Sequence, residues 1–115
     1  MALTKSRAAI SQLTATGQST ALNVAASYRH SIYVKMTNGT ATITAGATVK
    51  VQARPTGSSQ WYDLLTLAFG TTASVVETRV VILPDDTGEV RLDYTAPTGG
   101  SGHALDAEVG TITAF

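Results

Sequence analysis

Apolar and polar residues alternate along most of this chain with a period of two. The clearest stretch is His30 to Thr37, where Ile32, Val34 and Met36 fall on one side and Tyr33, Lys35 and Thr37 on the other. Successive strand side chains point to opposite faces, so this pattern predicts a half-buried β-strand. Asn38-Gly39 follows, two residues that tolerate positive φ, and predicts a tight type I′ hairpin. Thr40 to Thr44 continues beyond it with Ala41 and Ile43 inward. Val49, Val51 and Ala53 alternate with Lys50, Gln52 and Arg54. Trp61 to Phe69 carries a heavy apolar load, and Ser74 to Leu83 reads as a long strand with the nearly continuous apolar centre Val80-Val81-Ile82-Leu83. Val90, Leu92 and Tyr94 alternate with Arg91, Asp93 and Thr95. In the last segment Leu105, Ala107 and Val109 share a face opposite Asp106 and Glu108. Ile112 breaks that parity, which predicts a bulge at Gly110, where no Cβ stands in the way.

Turn residues punctuate these segments. Pro55-Thr56-Gly57-Ser58-Ser59 and Pro84-Asp85-Asp86-Thr87-Gly88 combine a preset proline φ with a glycine free to turn. Pro97 to Gly102 is the loosest loop. Pro-Thr-Gly occurs twice after an alternating strand, at Pro55 and at Pro97, as two hairpin ends at one pole of a sandwich would. Before residue 30 the pattern is weaker: Arg7 to Leu13 fits a helical turn or an edge strand, and Ala21 to Ala26 a strand with Leu22 and Val24 inward. No segment carries a 3.6-residue apolar stripe. Short strands separated by turn signals predict an all-β, antiparallel β-sandwich, of jelly-roll or Ig-like kind, with roughly seven to nine strands. The reading is one domain over residues 1–115, with residues 1–18 a candidate N-terminal arm.

Composition narrows the function. Apolar residues are 43% of the chain, enough for a packed core, while charged residues are only 14%, well under the usual ~25%. A surface of hydroxyls and small apolar groups desolvates easily, because few full charges must leave water. Eight acids balance eight bases, so the basic footprint that nucleic acid requires is missing. Neither a basic stripe for anionic lipid nor an apolar run long enough to span a membrane is present. The opening residues hold no apolar run of the signal-peptide kind, and synthesis in a cytoplasm is the expectation.

Candidate chemistry is sparse. With no Cys, thiolate metal sites and Cys nucleophiles are out. His30 and His103 lie far apart, neither with a ligand at metal spacing, and both read as strand-end residues. Gly100-Ser101-Gly102-His103 brings a Ser near a His, without a nucleophile elbow. Asp85-Asp86 with Glu89 lacks the alternating oxygen ligands of a calcium loop and reads as turn chemistry. Asn38-Gly39-Thr40 matches the N-glycosylation pattern, but its hairpin role accounts for it. Neither an enzyme, a cofactor nor a metal is expected. Trp61-Tyr62 is the most informative pair: one ring should enter the core, with Trp61 taken as that member, and Tyr62 should face outward.

The run from Ser31 to Val49, the turn Gly57-Ser58-Ser59-Gln60-Trp61-Tyr62-Asp63-Leu64 and the ending Tyr94-Thr95-Ala96-Pro97-Thr98-Gly99 resemble small structural proteins of tailed bacteriophages. The likeness spans residues 30–100 and lies in Thr/Ala/Gly-rich hairpins without cysteine. It implies a virion component: a capsid decoration (cement) protein on the capsid surface, a head-fibre base or a small tail piece. Its partners would be the major coat protein or other virion subunits, and copies of itself in a homo-oligomer. The residues expected to make contacts are Leu3 and Arg7 of the N-terminal segment, Tyr62, and Pro55 and Pro97 of the two loops. The alternative is a carbohydrate- or receptor-binding β-sandwich module, which would present an aromatic platform.

Overall fold

In the computed structural model, residues 3–114 are described and form an all-β antiparallel sandwich. Its strands are β1 (Leu3–Leu13), β2 (Gly17–Gln18), β3 (Leu22–Asn23), β4 (Arg29–Thr37), β5 (Thr40–Ala45), β6 (Thr48–Pro55), β7 (Tyr62–Ala68), β8 (Val76–Leu83), β9 (Thr87–Thr95), β10 (Thr98–Ser101) and β11 (Ala104–Ala114). One sheet runs β1-β11-β4-β8. The second runs β9-β6-β7, with the two-residue strands β2 and β3 both paired to β9 on its other side. β5 and β10 make a two-stranded flap. These short pieces raise the strand count above the expected range.

The alternation places the core. Ile32, Val34 and Met36 of β4, Val81 and Leu83 of β8, and Leu105, Ala107 and Val109 of β11 face the other sheet. Val49 and Val51 of β6 and Val90, Leu92 and Tyr94 of β9 meet them. Burying such side chains stabilises by roughly 1.5–3 kcal/mol each, which outweighs every other contribution in a fold with so few charges. Tyr94 is the largest buried side chain, and its hydroxyl has no hydrogen-bond partner among the described residues. Burial raises its phenol above the ordinary 10.0. The native state therefore holds that proton more tightly than the unfolded chain, and the stability this provides is complete below pH ~10 and is lost as pH rises through the folded value. Tyr94→Phe should flatten this alkaline loss and leave neutral-pH stability unchanged or higher by about 1 kcal/mol, as urea unfolding in neutral and alkaline buffer would report.

Several local expectations are corrected. β4 and β5 do not form a hairpin, because β5 pairs with β10. The positive φ of this corner lies at Ala41 (69°) and not at Gly39. Asn38 is buried, and its side-chain amide donates to the carbonyls of Gly70 (3.2 Å) and Thr72 (2.8 Å). Gly39 supplies space, since a Cβ there would lie 1.7 Å from the Ser101 carbonyl oxygen. The loop after Pro97 contains β10. No bulge occurs at Gly110: β11 pairs in continuous register with β4 from Ala104↔Thr37 to Ile112↔Arg29, so Ile112 faces outward. The two Pro-Thr-Gly segments lie at opposite poles, because β6 and β9 are antiparallel neighbours and each segment follows its strand's C-terminal end. The stretch Arg7–Leu13 is edge strand, part of β1 paired along β11.

The flank where β8 faces β7 is closed by charge. Glu77 and Arg79 are the inward-pointing members of β8 here. The Gly70 N–H donates to Glu77 Oε2 at 2.7 Å, and the Arg79 guanidinium lies 5.1 Å from the Phe69 ring centroid.

Candidate interaction surface

On the outer face of the β1-β11-β4-β8 sheet, edge strand β8 presents an apolar row. Apolar residues occupy both faces of β8, so Val81 and Leu83 enter the core while Val76, Val80 and Ile82 are turned to solvent, 52%, 60% and 82% exposed. Tyr33, 42% exposed, lies opposite Val80 on the neighbouring strand. Its ring extends over Gly110, where a Cβ would sit 3.3 Å from Tyr33 Cε2. On the far side of Gly110, Arg7 places its guanidinium 5.6 Å from the Tyr33 ring centroid and 3.3 Å from Glu108 Oε2. That ion pair is solvent-exposed and contributes well under 1 kcal/mol. It orients Arg7 rather than stabilising the fold. Toward the pole where β8 turns into β9, an open groove of about 740 Å³ is lined by Lys5, Arg7 and Arg29 as cations, Asp85 as the acid, and Tyr33, Ile82 and Ile112 as apolar walls. A surface so built can hold an apolar ligand or partner with an acidic fringe.

A second cluster lies on the outer face of the other sheet. Trp61 precedes β7 and does not enter the core. Its ring packs half-buried against the guanidinium groups of Arg91 (4.1 Å) and Arg54 (5.0 Å). Arg91 Nε donates to Gln52 Oε1 and Gln52 Nε2 to Asp63 Oδ1, both at 2.7 Å, while Arg54 pairs with Glu89. The core aromatic positions are held by Tyr94 and Phe69 instead. Trp61→Ala should therefore destabilise by only about 1–2 kcal/mol, the worth of two partly exposed cation–π contacts plus modest burial. Chemical denaturation separates that from the 3–5 kcal/mol of a core tryptophan.

The residues expected to make contacts distribute as follows. Leu3 (64% exposed) and Arg7 lie on β1, the latter at the groove. Tyr62, 54% exposed, opens edge strand β7 opposite Ala53. Pro55 closes β6 at the same pole, beside the β8–β9 turn, and Pro97 lies at the other. Tyr33 and Ile82 do not stand out in the sequence as contact residues: alternation turns Tyr33 outward, but the unbroken apolar run of β8 does not say which of its residues meets solvent. The histidines do not meet. His30 is buried with both ring nitrogens unpaired among the described residues. His103 Nδ1 accepts from the Gly39 N–H at 3.0 Å, which leaves Nε2 to donate to the Gly99 carbonyl at 2.9 Å. Its role is to staple the flap. Among the described residues no cluster of three metal-ligating side chains occurs, and no helix is long and apolar enough to cross a membrane.

No protein-family model and no curated protein sequence matches the chain. Solved structures do. The chain is similar to the SPBc2 prophage-derived protein YomS, with a TM-score of 0.52 and 9% identity over 98% of this chain and 96% of that one. It is similar to the K3 cleaved adhesin domain of Lys-gingipain from Porphyromonas gingivalis w83, with a TM-score of 0.51 and 13% identity, covering 94% of this chain and 63% of that one. A family 16 carbohydrate-binding module matches with a TM-score of 0.44 and 18% identity over 90% of this chain and 74% of its own. At these identities the likeness to YomS and to the adhesin domain is one of fold, an antiparallel β-sandwich.

Proposed function

We propose that this chain is a structural subunit of a tailed-phage-type particle, and within that class a capsid decoration protein that binds the assembled coat lattice. The observation that carries the reading is the exposed apolar row of β8 with Tyr33 of β4 beside it, so that Tyr33, Val80 and Ile82 form one patch on a chain poor in charge. The sequence resemblance to phage structural proteins and the fold shared with a prophage-derived protein support it. Such a protein acts by mass action: a ligand that binds only the closed lattice stabilises it by RT ln(1 + [L]/Kd) at each site. The apolar patch would supply affinity, and Lys5, Arg7 and Arg29 around the groove would favour an acidic rim on the coat subunit. Copies would act as a homo-oligomer, made in the host cytoplasm and found on the capsid surface, with neither nucleic acid nor membrane as partner and without enzymatic activity.

Particles stripped of the protein and then reloaded test this. Reloading should raise the temperature at which heated particles expel their genome. Ile82→Lys should bind the shell roughly ten- to hundredfold more weakly, the equivalent of the ~1.5–3 kcal/mol gained by burying one such side chain. Equal expulsion temperatures with and without bound protein would overturn the proposal.

A second reading, a carbohydrate- or receptor-binding module, is favoured by the exposed rings of Tyr28 and Tyr62 and the half-buried ring of Trp61. Binding on a glycan array that is lost in Tyr62→Ala would support it over the first.

A further inference from the structure

Edge strand β8 begins with a sequence that is its own antiparallel complement. From Val75 to Val81 the chain reads Val-Val-Glu-Thr-Arg-Val-Val, symmetric about Thr78 with opposite charges at the mirrored positions. We infer that two copies of this chain associate edge to edge through β8, about a twofold axis at Thr78, so that their two four-stranded sheets become one.

A twofold axis between identical edges makes the pairing antiparallel and the contact self-complementary. With Thr78 opposite the partner's Thr78, Glu77 faces the partner's Arg79, Arg79 faces the partner's Glu77, and Val76 faces the partner's Val80. Opposite charges, Thr–Thr and apolar pairs are the cross-strand combinations that stabilise a sheet. The register is pinned. The neighbouring registers that keep matching faces together set Glu77 against the partner's Glu77, or Arg79 against the partner's Arg79, and like charges directly opposite are destabilising.

The backbone is available in the right phase. The Asn38 N–H donates to the Val75 carbonyl at 2.9 Å, so odd-numbered residues of this strand address β4. By the alternation of an antiparallel ladder, Val76, Thr78 and Val80 turn their N–H and C=O groups to the open edge. The Thr78 carbonyl is met there by the guanidinium of Arg79, which donates to it at 2.9 Å. In the pair, that carbonyl accepts from the Thr78 N–H of the partner subunit, and Arg79 is released toward the partner's Glu77.

The inward-pointing charges give the edge its selectivity. Glu77 and Arg79 lie 3.6 Å apart with side chains 25% and 39% exposed. A charged residue pointing inward on an edge strand normally blocks pairing, because an apolar newcomer would strip its water without replacing it. A second copy in this register offers each charge its opposite. The same device therefore excludes other strands and admits this one. On the outer face the pairing covers Val76 and Val80 and joins the Tyr33–Ile82 patches of the two copies into one surface. The pairing supplies an interface for the homo-oligomer of the shell reading, yet it rests on β8 alone and is read from isolated protein with no particle present.

Thr78→Cys tests it directly. The chain has no Cys, and Thr78 is exposed, so a single thiol is introduced without disturbing the core. Directly opposed residues in a hydrogen-bonded pair have Cα atoms about 5.5 Å apart, inside the ~4.4–6.8 Å that a disulfide spans. Under mild oxidation Thr78→Cys should run as a covalent dimer on a non-reducing gel. Ile82→Cys, about 25 Å from its own copy in this register, should not. Adding Arg79→Glu to Thr78→Cys should abolish the cross-link, and adding Glu77→Arg as well should restore it. Light scattering of the unmodified protein should give twice the chain mass of 11.9 kDa at high concentration. A monomer mass across the concentration series, or equal cross-linking of Thr78→Cys and Ile82→Cys, would overturn the inference.

Discussion

Gly39→Ala is expected to destabilise the domain by about 3 kcal/mol, the upper end of overpacking penalties, and to lower its melting temperature by on the order of 10 °C. The added Cβ would lie 1.7 Å from the Ser101 carbonyl oxygen and 2.4 Å from its carbon. Both are backbone atoms, so no rotamer change relieves the clash. The flap of β5 and β10 would have to move as a unit. That motion breaks more than one contact, because the Gly39 N–H also donates to His103, and the neighbouring Asn38 amide holds the Gly70 and Thr72 carbonyls. Gly57→Ala is the control. Gly57 has a positive φ of 82° but nothing within 4 Å of its missing Cβ, so only the left-handed backbone resists, at roughly 1–2 kcal/mol. Differential scanning calorimetry of the two variants separates lack of space from lack of conformational freedom. A Gly39→Ala loss no larger than that of Gly57→Ala would mean that the flap is not held where it lies.

The contrast between these glycines shows what local reading captures. Asn38-Gly39 carries the composition of a type I′ turn, and nothing nearby in sequence contradicts it. The partner that decides its geometry is Ser101, far along the chain on a strand that the loop of glycines after Pro97 conceals. Conversely, the faces of β4, β6 and β9 are legible, because each is a central strand with a solvent face and a core face, and alternation records that asymmetry directly; the start of β9 is misplaced, since Thr87 and Gly88 of the expected turn already belong to the strand. β8 is legible as a strand but not in its orientation. In Val80-Val81-Ile82-Leu83 every residue is apolar, so the pattern marks a strand with two apolar faces and cannot say which face meets solvent. The exposed patch that carries the functional proposal is thus hidden by the feature that creates it.

Gly110 and Trp61 mislead for another reason. Reading Ile112 as a core residue forces a bulge to restore parity, although the register is regular and Ile112 lies outward beside the groove. Placing Trp61 in the core follows from its size, but the two arginines on the polar face of the sheet offer the ring a flat cationic surface that composition alone does not reveal. In both cases apolar character is equated with burial, whereas a large part of any folded surface is apolar. Both exceptions fall on the candidate interaction surfaces: Ile112 lines the groove and Trp61 lies between the two arginines.

The second large effect is expected at Leu92. Leu92→Ala should destabilise by about 2–5 kcal/mol, the transfer free energy of the lost methylenes plus the cost of the cavity they leave. Leu92 is fully buried on β9, directly opposite Val51 on β6. Its own backbone is clamped on the other side, where Ser19 donates its N–H to the Leu92 carbonyl and accepts the Leu92 N–H on its hydroxyl, both at 2.8 Å. With both neighbours fixed, β9 cannot slide inward to fill the void, which favours the upper half of that range. Ile82→Ala removes a side chain of similar size from a site 82% exposed, and should change stability by no more than about 0.5 kcal/mol. Urea denaturation of the pair therefore tests the orientation of β8 together with the core. A large loss in Ile82→Ala would mean that this residue is already covered in the isolated protein. Under the β8 pairing, a loss in Val80→Ala should grow with protein concentration, whereas the loss in Leu92→Ala should not, because association stabilises by mass action and a core cavity does not.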